Sequence, residues 1–151
     1  MKATFGAGCF WHVEDLLSKT RGVKSTKVGY IGGQLSNPTY EEVCTDKTGH
    51  AEAVEVEYDP NEISYEELLN VFWNNHNPTT LNRQGQDIGI QYRSAIFYHN
   101  DEQKEIAEKS KQTLDKSKRY EHPIVTEIIP TPIFYDAEEY HQNYFKKHDL
   151  S

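Results

Sequence analysis

The sequence predicts an α/β fold: a sheet of mixed strand order covered by helices on at least one face. Two observations carry this. Short β-like runs alternate with helix-periodic segments along the chain, and its 151 residues suit one domain, residues 1–151, with a sizeable core. No internal repeat, low-complexity tract or linker interrupts the alternation.

Residues 2–6 read as a short buried strand. Phe10, Val13, Leu16 and Leu17 then fall on one face of a helix, which Gly22 is placed to end. Residues 23–31 form a second strand running into Gly32-Gly33 and a polar loop. Pro38, with its fixed φ, suits the opening turn of a short helix through Cys44. Residues 51–58 are the clearest strand, closed by Asp59-Pro60. Ser64 and Glu67 make a capping box ahead of "LLNVFW", predicting a helix over 65–76 that Asn77-Pro78 breaks.

"TTLNRQGQDIGIQ" has no sustained periodicity and reads as a long loop of the kind that carries function. Residues 92–98 alternate as a strand. Residues 101–119 form a highly charged helix with a thin apolar face at Ile106 and Leu114. A further strand covers 124–129. Asp136 with Glu139 predicts the capped start of a last helix carrying Tyr140, Tyr144 and Phe145, and the polar tail 146–151 is expected to fray.

Charge and hydropathy exclude several functions. Lys plus Arg number 16 against 24 Asp plus Glu, a net charge of -8, so nucleic acid and anionic membrane surfaces are repelled as partners. A mean hydropathy of -0.82 and the lack of any apolar run near ~20 residues predict no membrane span. "MKATF" lacks the apolar stretch of a signal peptide, so the chain is expected to begin directly in its fold. Two cysteines without a secretion signal suit a reducing compartment, the cytoplasm, and a monomer is expected.

"FGAGCFWHVEDLL" places Cys9 where a strand turns into a helix, beside Phe10 and Trp11. Two readings stand side by side: a small buried hydrophobe, or a thiolate whose pKa is lowered from about 8.5 by a helix N-terminus. In "AEAVEVEY", Glu52 shares a strand face with Val54, Val56 and Tyr58, while Glu55 and Glu57 point the other way. On that apolar face desolvation would raise its pKa and make it a proton donor near neutrality; just beyond the sheet edge it would be merely solvated. In "QGQDIGIQYRS", Gly85 and Gly89 allow close backbone approach, Asp87 offers an acceptor and Tyr92 a hydroxyl, yet the loop matches neither a phosphate loop nor a dinucleotide fingerprint. The seven histidines show no H-E-x-x-H and no paired Cys/His spacing, so no metal site is expected.

Taken in order, "GAGCFW", "GYIGG", "NPTYEEVC", "TGHAEAVEVEYDP", "LLNVFWNNHNPTTLNRQGQDIGIQYRSAIFY" and "AEEYHQNYF" cover most of the chain and resemble the peptide methionine sulfoxide reductases of the A type. The resemblance implies a two-layer α/β sandwich around a mixed sheet, of the ferredoxin-like plait type. It implies reduction of the S epimer of methionine sulfoxide, free or in proteins, as repair of oxidised proteins. Cys9 matches the nucleophile, Phe10 and Trp11 the pocket for the substrate methyl group, and Glu52 the acid on the sulfoxide oxygen. Tyr40 and Tyr92 match the hydroxyls holding that oxygen, and Asp87 a residue that orients substrate.

Under this resemblance no cofactor is bound; Cys9 ends as a sulfenic acid and an external thiol reduces it. Two departures shape that last step. "KKHDLS" carries no cysteine where many members have recycling cysteines, and His12 stands where glycine is common. Cys44 is expected to be a buried structural cysteine, so recycling falls to glutathione with glutaredoxin, the favoured route, or to thioredoxin. Two rivals remain: a binding module that needs no acid, and a cysteine hydrolase, for which His12 is the nearest base in sequence.

Overall fold

A computed structural model describes residues 1–149. Its elements run β1 (Lys2–Ala7), α1 (Phe10–Ser18), β2 (Val23–Ile31), α2 (Tyr40–Val43), β3 (Ala51–Tyr58), α3 (Tyr65–Asn74), β4 (Arg83–Gln84), β5 (Asp87–Ile88), β6 (Ser94–Tyr98), α4 (Asp101–Lys116), β7 (Glu127–Pro130), β8 (Phe134–Asp136) and α5 (Tyr144–Lys147). Six strands form one sheet in the order β7-β6-β1-β3-β2-β8, and β4 pairs with β5 as a separate hairpin. Only β6 and β7 pair in parallel within that sheet, so the sheet is mixed. The central order β6-β1-β3-β2, with α1 and α3 as crossovers, is the ferredoxin-like plait, which β7 and β8 extend at the two edges.

Strand alternation divides the core. Phe5, Val28, Tyr30, Val54, Val56 and Ile96 pack on the face that α1 and α3 cover, with Phe10, Leu17, Leu68, Leu69 and Phe72 from those helices. Ile31, Ala51, Ala53, Ala95 and Phe97 make a smaller cluster on the other face. Glu52 therefore lies on the helix-covered face, in register with Tyr30. It is 1% exposed.

Local signals place most elements, and tertiary contacts move several boundaries. Helix α1 ends at Ser18, capped by Lys19; Gly22, at φ 92, serves the following turn and packs under Ile63. Pro38 stands one residue before the true N-cap, Thr39, whose capping box with Glu42 starts α2. The Ser64/Glu67 box starts α3 as expected, and α3 stops at Asn74. Helix α4 ends at Lys116, burying Gln103 and Ala107 beside its thin apolar face.

The expected loop after Pro78 holds the β4–β5 hairpin, whose strands of two residues each are too short to show a period. Tyr92 closes a 3-10 turn (Ile90–Tyr92) instead of opening a strand; β6 begins at Ser94. The strand expected over 124–129 pairs only from Glu127. Asp136 ends β8 and caps no helix. A 3-10 turn (Glu139–His141) follows, and Asn143, at φ 52, separates it from α5. The interruption has a cause: the Gln142 amide accepts from Val28 N at 2.9 Å and donates to Val28 O at 2.9 Å and Ala137 O at 3.0 Å, satisfying backbone at the end of β8. Of the tail expected to fray, Lys146 and Lys147 belong to α5; positions 150 and 151 lie outside the described residues. No helix among the described residues is long and apolar enough to cross a membrane.

Candidate active site

Cys9 is the N-cap of α1, with extended φ -57 and ψ 121 and no side-chain cap. The turn before it needs glycine. Gly8 has φ 96, and a Cβ there would stand 2.9 Å from Cβ and Cγ of Gln84, so the β4–β5 hairpin sits directly on this turn. Gln84 is held in turn by its amide, which accepts from Asn77 N at 2.9 Å and donates to Asn77 O. Gly8→Ala is therefore expected to destabilise the fold by about 1–2 kcal/mol from the left-handed backbone alone, and to lower activity further by displacing the hairpin. Thermal unfolding and steady-state kinetics check it together.

Burial pushes the Cys9 thiol up to about 11, although the backbone N–H groups of Trp11 and His12 pull it down; ionised Glu52 and Asp87 raise it as well. The helix N-terminus thus acts in the expected direction and is outweighed. Burial holds Cys9 as a thiol at neutral pH, which favours the buried-thiol reading of its position over the lowered pKa.

The Glu52 carboxyl reaches α1 directly. Its Oε1 accepts from Phe10 N at 3.2 Å, while Oε2 is buried without a hydrogen bond among the described residues. Burial raises its pKa to about 8, only partly offset by the Phe10 bond. The group is a neutral acid at pH 7 with one free oxygen. When ionised it opposes ionisation of Cys9, Tyr40 and Tyr92, so these groups share one space. Burial first, and this carboxyl second or later, keep both tyrosines protonated; Tyr92 rises to about 12.

An aromatic wall stands beside Cys9. Phe10, 1% exposed, packs on Tyr30 at 5.8 Å, Tyr40 at 6.5 Å and His141 at 5.2 Å between ring centroids. Trp11 stacks on Tyr144 at 3.7 Å and 6°, and its Nε1 donates to His141 Nδ1 at 3.0 Å. Glu138 accepts from Tyr30 OH at 2.8 Å and from Tyr40 N at 3.0 Å, fixing α2 against β2. His141 and Glu138 escape a reading of the sequence because their partners lie about a hundred residues away and no local period marks them. Asp87, exposed on β5, approaches from the hairpin side, where its charge acts on Cys9, Glu52 and Tyr92.

One sequence expectation changes here. Cys44 is exposed, not a buried hydrophobe: α2 is a single turn that buries Val43, and Cys44, its C-cap, faces outward next to Tyr40. His12 is exposed and meets Phe145 edge-on at 4.7 Å and 87°, and its side chain makes no hydrogen bond among the described residues. His76 is committed to Phe72 O at 2.6 Å and Ser94 Oγ at 2.8 Å, and burial lowers its pKa to about 4. No imidazole hydrogen-bonds Cys9 among the described residues, which removes the geometry a cysteine hydrolase needs.

A thiol, a neutral carboxylic acid and two protonated tyrosines come together on a ferredoxin-like α/β sheet, and by its relatives the chain is an oxidoreductase. It belongs to the peptide methionine sulfoxide reductase family, which matches residues 1–151. It is 62% identical over 146 residues to peptide methionine sulfoxide reductase MsrA of Methanothermobacter thermautotrophicus, covering 97% of this chain and 86% of the relative. Reduced Mxr1 from Saccharomyces cerevisiae superposes with a TM-score of 0.93 at 37% identity, covering 100% of this chain and 87% of Mxr1. Mxr1 in complex with Trx2 gives 0.68 at 29% identity, over 95% and 84%.

Proposed function

We propose that the chain reduces the S epimer of methionine sulfoxide, free and in proteins, with Cys9 as nucleophile and Glu52 as acid. The observation that carries this reading is the neutral Glu52 carboxyl, tied to Phe10 N by one oxygen and free at the other, beside the Cys9 thiol. A sulfoxide sulfur becomes electrophilic as its oxygen gains a proton, so nucleophile and acid must act together.

In this reading the Cys9 sulfur attacks the sulfoxide sulfur while Glu52 gives its proton to the oxygen. A transient bond between the two sulfurs forms; the substrate S–O bond then breaks as the hydroxyl passes to Cys9, and the sulfur–sulfur bond breaks with its electron pair on the substrate, leaving Cys9 as a sulfenic acid and the substrate as a thioether reduced by one electron pair. The Cys9 proton leaves to solvent before the attack, and Glu52, left as a carboxylate, regains its proton from solvent. Tyr40 and Tyr92 donate to the same oxygen, Phe10 and Trp11 receive the methyl group, and Asp87 orients the peptide. An external thiol then reduces Cys9. Thioredoxin gains support as that reductant from the Mxr1 complex with Trx2, and glutathione with glutaredoxin supplies the same chemistry.

Epimer choice follows from the walls. With the methyl group against Phe10 and Trp11, only one epimer points its oxygen at Glu52; the other presents it to apolar surface and leaves it unbonded. Turnover of the separated epimers of methyl p-tolyl sulfoxide with dithiothreitol is expected to favour S by at least about 100-fold. Comparable rates, or no turnover of S by the reduced chain, would refute the reading.

A further inference from the structure

Positions 12, 13 and 16 of α1 share one helical face, with the N-cap Cys9 at its start. That face lines a cavity of about 190 Å³ between α1, α3 and the β4–β5 hairpin, which contains Cys9 and Asp87 on its wall but not Glu52, Phe10 or Trp11. We propose that this cavity is a subsite for an apolar side chain adjacent in sequence to the oxidised methionine of a protein substrate. The proposal rests on Cys9 being the reacting atom, as argued above.

The chemistry of the wall selects the ligand. Phe5, Val13, Leu16 and Phe72 present carbon. Three polar residues of the lining have turned their hydrogen bonds away. Asn75 Nδ2 donates to Val71 O at 2.8 Å, both His76 nitrogens are engaged by Phe72 O and Ser94 Oγ, and the Gln84 amide spans Asn77. His76 and Gln84 thus offer the cavity ring and methylene surface, while Asn75 Oδ1 and the exposed His12 imidazole, also in the lining, have no hydrogen bond among the described residues. Asp87 is the one formal charge in the lining, and it repels an acidic side chain.

Size selects further. Apolar cavities of ~150 Å³ accept a benzene-sized guest, so this one holds a single leucine, isoleucine or phenylalanine side chain and is too small for a helix of a partner protein. Continuity fixes which molecule supplies it. Cys9 and Asp87 border both the reaction space and the cavity, so a residue next to the reacting methionine reaches it while the sulfoxide stays at Cys9.

The test compares kcat/KM, with dithiothreitol as reductant, for short blocked peptides carrying methionine sulfoxide with Leu, Gly or Asp at the preceding or the following position. Leu is expected to exceed Gly by about tenfold or more at one of the two positions, with Asp below Gly. Val13→Phe, which fills the cavity, is expected to bring the Leu-to-Gly ratio close to one. Leu16→Glu, which charges its wall, is expected to do the same and guards against a folding defect in the first variant. Equal values for Leu and Gly at both positions, or Leu-to-Gly ratios unchanged in both variants, would overturn the subsite. Failure of the parent to reduce free methionine sulfoxide would instead refute the proposed reduction on which the subsite rests.

Discussion

Cys9→Ser is expected to lower methionine sulfoxide reduction by at least about 10⁴-fold, to the uncatalysed rate, while leaving the fold intact. The side chain makes no capping bond to α1 and the change is nearly isosteric; a serine oxygen at this N-cap can even bond the free N–H groups of the first turn. Its hydroxyl, however, cannot accept the sulfoxide oxygen and be recycled as a sulfenic acid. Thermal unfolding within about 1 kcal/mol of the parent, together with absent turnover, is the expected pair of readings. Persisting activity would move the chemistry to Cys44, the exposed thiol beside Tyr40.

Glu52→Gln is expected to slow the reductive step by about 10² to 10⁴-fold, the range of a lost general acid, and to change the shape of its pH profile. The working pair is Cys9 thiolate with Glu52 acid. That state has one proton fewer than the fully protonated pair and as many as the state with Cys9 thiol and Glu52 carboxylate. With Glu52 at about 8 and Cys9 at about 11, the parent rate rises with pH up to about 8, levels, and falls above about 11. The amide does not titrate, so the variant rate keeps rising until Cys9 ionises, and its deficit narrows about tenfold per unit above pH 8. A break near pH 8 that survives in the variant would mean that another group is the acid.

The same substitution is expected to stabilise the fold at alkaline pH. A carboxyl raised from 4.5 to about 8 on folding favours the folded state fully only below 4.5, and that contribution is lost as pH rises through about 8. At ~1.4 kcal/mol per pKa unit the loss amounts to a few kcal/mol, which the uncharged amide of the Glu52→Gln variant avoids. Urea unfolding of both proteins below pH 4.5 and above pH 8 measures the difference.

What the sequence discloses tracks how local each signal is. The alternation of β3 alone puts Glu52 on the face of Val54 and Val56, and the Ser64/Glu67 pair alone starts α3, because both patterns are complete within a few residues. The plait order and the roles of Tyr40, Tyr92 and Asp87 come through resemblance, since no short-range period pairs β1 with β6 or brings α2 and the hairpin to Cys9. The Cys9 shift runs opposite to the direction a helix N-terminus alone would give: the N-terminus is visible in sequence, while burial is set by the surrounding fold. The contacts of Glu138, His141 and Gln142 with Tyr30, Trp11 and Val28 each span more than a hundred residues, and they turn an expected last helix into a strand, a turn and a short α5.

The most direct test of oxygen transfer to Cys9 is the intact mass of the reduced chain after one turnover with S-methionine sulfoxide and no reductant. The account predicts one methionine formed per chain and a gain of one oxygen atom on Cys9, trapped by a sulfenic acid reagent and absent in Cys9→Ser. Loss of two hydrogens with nothing to trap, abolished by Cys44→Ser, would show that Cys44 resolves Cys9 and contradict recycling by an external thiol alone. Methionine release with no change at Cys9 would contradict the nucleophile itself.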